Sequence, residues 1–135
     1  MRLFQSLFIV GLVPLLSGRA SAGDSVPTFN KDVAPILFNN CSNCHRPNEV
    51  GPFSLLTYED ARKRSKQIAK LTEKKIMPPW KPVAGHDVFK DARTLTDEQI
   101  GVFQAWAEAG SPEGDAKDLP PQPKFPEGWH AGNRT

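Results

Sequence analysis

The sequence predicts a small all-α domain, and three observations carry that expectation. Apolar residues recur at spacings of three and four in separated stretches, the period of a buried helix face. No stretch alternates apolar and polar residues as a half-buried strand would, so no sheet is expected. Proline and glycine punctuate the stretches where helices would start or stop.

The first segment reads as an address. Arg2 gives a positive start, Leu3 to Leu16 is an apolar run broken by Gly11 and Pro14, and Ala20-Ser21-Ala22 is a small-residue cleavage pattern. The run falls short of the roughly 20 residues needed to span a bilayer. Residues 1–22 are therefore expected to be a signal peptide. That implies a periplasmic or secreted bacterial protein with no stable membrane insertion. The whole chain has 17 basic and 15 acidic residues, and cleavage removes Arg2 and Arg19 but no acid. A mature chain balanced in charge argues against a general affinity for nucleic acid or anionic membrane. The remainder divides into a body, 23–114, and a tail, 115–135, where Pro120, Pro121, Pro123 and Pro126 favour extended chain. A body this small gains little from burial alone. Its only two cysteines, Cys41 and Cys44, are too close in sequence to staple it. A large apolar cofactor would supply the missing core.

The helices follow in order. Phe29, Val33, Leu37 and Cys41 share one face, with Ile36 beside them and Thr28 or Asn30 as cap. Pro35 is tolerable only near the start of regular helix, which is expected to begin near Lys31 to Val33. Arg46 to Leu56 carries Pro47, Gly51 and Pro52 and reads as loop. Thr57 then caps a helix opened by Glu59 and Asp60, which runs to about Lys74 with Tyr58, Ala61, Ser65, Ile68 and Ala69 as its apolar stripe. Pro78 and Pro79 stop that helix and push Met77 toward extended geometry. Pro78 to Arg93 is a connection long enough to be functional or wrapped around something. In the last helix, Thr96 and Gln99 form a capping box and Leu95 with Ile100 a hydrophobic staple. Ile100, Phe103, Ala107 and Gly110 share a face, Trp106 lies beside it, and Gly110 with Pro112 ends the helix.

The chemistry is carried by Cys41-Ser42-Asn43-Cys44-His45. This C-x-x-C-H pattern is the signature of covalent haem attachment. Residues three apart on a helix lie on one face, so two thiols can reach the two vinyl groups on one porphyrin edge. His45 then projects its imidazole toward the iron, with its other ring nitrogen held by an acceptor, expected in the loop around Pro47. Met77 is the only methionine outside the signal segment and is the candidate second axial ligand, which would raise the reduction potential. The bland alternative is core filler. His86 and, more weakly, His130 compete for the position. Trp80 is a candidate donor to a propionate, and Arg62 or Lys66 a candidate partner for one. Phe38, Phe53, Leu55, Ile68, Phe103 and Trp106 join Trp80 as candidate pocket wall, a role close to ordinary core packing. Two readings of the cysteines need no haem. A thioredoxin-type dithiol would call for a βαβ pattern, which is not visible, and a zinc site with His45 and His86 lacks a second ligand pair.

From Phe29 onward the chain resembles class I c-type cytochrome domains, on the pieces Phe29–His45, Tyr58–Lys74, Met77–Trp80 and Leu95–Gly110. The strings FNKDVAPIL, MPPW, TLTDEQI, WAEAGSPEGD and FPEGWHAG are similar to cytochrome modules that precede copper type II ascorbate-dependent monooxygenase domains in bacterial secreted proteins. The resemblance implies a cytochrome c-like helical domain around one covalent haem c, with Cys41 and Cys44 as tethers and His45 and Met77 on the iron. No copper-binding domain follows in this sequence, so the monooxygenase activity is not implied.

These readings converge on a monomeric single-electron carrier, not an enzyme. Its partners would be other exported redox proteins, a copper monooxygenase or another oxidoreductase among them. The rival functions are a haem sensor or peroxidase-like site with an open sixth position, and a haem-free dithiol or zinc protein. The basic run from Arg62 to Lys75, with Glu73 its single acid, reads first as a solvated helix face and second as a docking face for an acidic partner.

Overall fold

The computed structural model describes residues 25–79 and 94–125. The expected signal peptide, Trp80, His86, His130 and most of the 78–93 connection lie outside the described residues, as does the tail beyond Phe125. Four α-helices form the body, and no strand occurs among the described residues. None of the described helices is long and apolar enough to cross a membrane.

The first helix begins less regularly than its period suggests. Phe29–Val33 is a wide π-helical turn, in which the Val33 amide donates to the Thr28 carbonyl at 3.1 Å. Regular helix α1 runs from Ala34 to Asn40, with Pro35 in its first turn. Proline lacks a donor and its ring crowds the preceding turn, and here that preceding turn is the wider π-helical one. Thr28 stands at the N-cap position, but its side chain caps nothing. Instead Asp32 reaches back to accept from the Thr28 amide at 2.8 Å.

The middle helix is two helices. Tyr58–Lys63 forms α2 and Ser65–Glu73 forms α3, separated at Arg64 (φ −113°, ψ 4°). No glycine or proline marks this break. The Thr57 hydroxyl caps α2 by accepting from the Asp60 amide at 3.2 Å. At the end of α3, Lys75 takes a left-handed φ of 53°. The Lys75 amide then donates to Thr72 and the Ile76 amide to Leu71, a Schellman ending that normally recruits glycine.

Asp97–Glu108 forms α4, opened by the expected capping box between Thr96 and Gln99. It closes on Gly110, whose φ is +83°. The Ser111 amide donates to the Trp106 carbonyl at 2.9 Å. The α3 helix and the π-helical turn both pack on α4. Between these elements Phe29, Val33, Leu37, Ala61, Ile68, Phe103 and Trp106 make one buried cluster. Phe29 joins its halves, with ring centroids 5.5 Å from Tyr58 and 6.2 Å from Trp106. Beyond α4 the chain returns to its start, where Phe29 and Asn30 donate their amides to the carbonyls of Pro112 and Glu113, each at 2.9 Å. A short 3₁₀ turn, Ala116–Asp118, interrupts otherwise extended chain up to Phe125.

Candidate functional site

Cys41 caps the C-terminal end of α1, and the chain continues from it as a tight turn through His45. The Cys44 and His45 amides both donate to the Cys41 carbonyl, at 3.1 and 2.9 Å. Helix-like bonding therefore extends past the helix and holds the two thiols and the imidazole to a single turn. Ser42 is fully buried inside this turn, and its hydroxyl donates to the Phe38 carbonyl at 2.6 Å. The variable positions of the motif are thus not passive, since Ser42 ties the turn back to α1.

The imidazole is held from one side. His45 Nδ1 lies 3.2 Å from the Phe53 carbonyl oxygen, which accepts only if Nδ1 carries the proton. That tautomer leaves Nε2 with a lone pair for a metal. The Phe53 ring also packs on the imidazole, centroids 4.8 Å apart. The acceptor comes eight residues after His45, later in the loop than Pro47. Gly51 explains how the loop comes so close. Its amide donates to the Cys44 carbonyl at 2.8 Å, and a Cβ at this position would stand 2.5 Å from that oxygen and 2.8 Å from His45 Nδ1. Only glycine fits without displacing the imidazole or its turn. The Leu55 amide closes the loop by donating to the His45 carbonyl at 2.9 Å.

The two thiols are not joined as a disulfide. Cys41 packs against the apolar core. Burial there, and secondarily the neighbouring Cys44 thiol, push the Cys41 thiol up from 9.0 to about 12. A thiol held in its neutral form is a poor nucleophile and a poor ready metal ligand. Among the described residues no three His, Cys, Asp or Glu side chains gather to hold a metal ion by themselves. Cys41, Cys44 and His45 thus gather two unbridged thiols and one imidazole nitrogen in a single turn.

Met77 follows the Schellman ending of α3. Its amide donates to the Leu71 carbonyl at 3.2 Å. It is half-buried and stands outside the apolar cluster formed by the described residues. Phe103 and Trp106 are completely buried in contacts between protein side chains, and Trp106 Nε1 donates to the Pro112 carbonyl at 2.9 Å. Core packing accounts for both. Phe38, Leu55 and Ile68 also belong to that core, with Phe53 packed on its edge. Arg62 and Lys66 are exposed on α2 and α3. Arg64 at the helix break sets its guanidinium 4.3 Å from the centre of the Phe53 ring, the ring that packs on the imidazole. No signal in the sequence singled out Arg64, Phe53 as acceptor, or Gly51 as spacer.

No family model, curated protein or solved structure matches the chain. The site is read from its own geometry.

Proposed function

We propose that this chain is an exported monohaem c-type cytochrome domain that passes single electrons between redox proteins. The observation that carries the reading is the pairing of two closely spaced, unbridged thiols with an imidazole whose Nδ1 is engaged by the Phe53 carbonyl. That arrangement is what covalent attachment with axial ligation by the adjacent histidine requires. In this reading Cys41 and Cys44 hold haem c through thioether bonds, and His45 Nε2 binds its iron. The group supplies reversible one-electron chemistry when bound. The chain's own residues do the rest. Phe53 and Gly51 hold the imidazole in one tautomer and orientation. Met77, half-buried and outside the apolar cluster of the described residues, would be the second residue to hold the iron, and a thioether there would raise the potential.

Optical spectroscopy of protein produced in a periplasm equipped for haem attachment tests the reading. It predicts narrow ferrous bands, with a methionine-to-iron charge-transfer band in the ferric state that disappears in Met77→Ala. A Met77→Ala spectrum identical to wild type would favour an open sixth position and a sensor or peroxidase-like role. A colourless product would remove the haem reading altogether.

A further inference from the structure

The described part of the proline-rich chain after α4, extended from Leu119 to Phe125, lies along the body. The Asn30 side chain is buried and donates through Nδ2 to the carbonyls of Gly114 and Asp115, at 3.3 and 3.1 Å. Further on, Gln122 Nε2 donates to the Leu56 carbonyl at 3.1 Å. Next, Phe125 lies beneath Arg46, with the guanidinium carbon 4.1 Å from the ring centre. Arg46 directly follows His45 and is only 16% exposed in its side chain. Its Nη1 donates to the Asn43 carbonyl at 2.6 Å and more weakly to Ser42 at 3.4 Å. Its Nη2 pairs with Glu49 at 2.6 Å. One guanidinium therefore binds the middle of the Cys41–His45 turn, the loop after it, and the returning chain.

We infer that Arg46 is a positioning residue for the haem-attachment turn, and that residues 119–125 are an intramolecular strap that locks it through Phe125. Stacking on an aromatic face leaves the planar guanidinium free to use its fork of donors edge-on. The Arg46 fork fixes the two carbonyls between the cysteines, and with them the directions of Cys44 and His45. Phe125 covers the guanidinium from water, which strengthens both the ion pair with Glu49 and the bonds to the turn. The purpose assigned to the turn rests on the haem reading; the strap does not.

The test measures two things on the full chain. One is amide hydrogen exchange at Cys44 and His45 relative to Phe103 in α4. The other is the fraction of chains that carry porphyrin mass after production with the attachment machinery. Arg46→Ala is expected to speed exchange at Cys44 and His45 at least tenfold with Phe103 unchanged, and to lower the loaded fraction severalfold. Phe125→Ala is expected to do the same more mildly, and Phe125→Trp to restore both. A rise in exchange spread evenly over the chain, or loading at the wild-type level in both alanine variants, would overturn the inference. Should the wild type itself carry no porphyrin, the haem reading fails and exchange alone decides the strap.

Discussion

At the scale of single residues, the site depends on one contact that tolerates no added atom and on one buried thiol. The first is Gly51 against His45 and the Cys44 carbonyl. In Gly51→Ala the new methyl collides with backbone, which cannot rotate away as a flexible side chain would. Overpacking of this kind costs about 1–3 kcal/mol. We expect that loss in urea denaturation, whereas Gly101→Ala on the open face of α4 should be tolerated because nothing lies near its Cβ. The second concerns Cys41. Burial pushes the free Cys41 thiol up to about 12, so it is neutral near physiological pH. At pH 8 it should react with iodoacetamide on the order of a thousandfold more slowly than an ordinary thiol, because only the thiolate attacks. The linked stability has a definite sign. A raised pKa in the folded state means that the unfolded chain loses its proton first. Stability from this group is therefore complete below pH 9 and is lost as pH rises from there to about 12. Urea midpoints of the unattached chain should fall over that window, and Cys41→Ala should flatten the fall.

At the scale of elements, the starts of α2 and α4 were legible, whereas the π-helical opening before α1, the break at Arg64 and the ending of α3 were not. Thr57 and Thr96 cap as their sequence patterns imply, because a capping hydroxyl acts locally and leaves a short signature. Thr96→Ala should accordingly cost about 1 kcal/mol in thermal or urea unfolding. The break at Arg64 and the left-handed Lys75 left no such mark. Both residues are good helix formers, and neither conformation is chosen locally. Lys75 holds a conformation that costs a side-chain-bearing residue about 1 kcal/mol, so Lys75→Gly should stabilise the fold by about that much. The exposed Lys75–Asp97 pair, 3.4 Å apart, contributes too little to offset the gain. The same measurement on Lys75→Ala, which keeps the Cβ, should show no stabilisation.

At the scale of the whole molecule, the motif announced the thiols and the imidazole, but not what holds them. Cys41, Cys44 and His45 are neighbours in sequence, so their spacing alone places them in one turn. Their supports arrive from afar. Phe53 brings its carbonyl from across a loop, and Phe125 reaches Arg46 from the far end of the described chain. Such contacts depend on how the helices pack and leave no periodic trace. The core was likewise only half legible. Trp106 and Phe103 read equally as cofactor wall or as core, and the structure buries both within the protein. What the fold as a whole provides is a small helical body that presents one preset turn at its edge. The central claim, that this turn is bonded to a porphyrin through both sulfurs, is tested most directly by peptide mass spectrometry of periplasmically matured protein. The account predicts a single haem on the peptide containing Cys41 to His45, with neither cysteine available for alkylation. Recovery of that peptide with both thiols unmodified, from cells that load another c-type cytochrome, would contradict it.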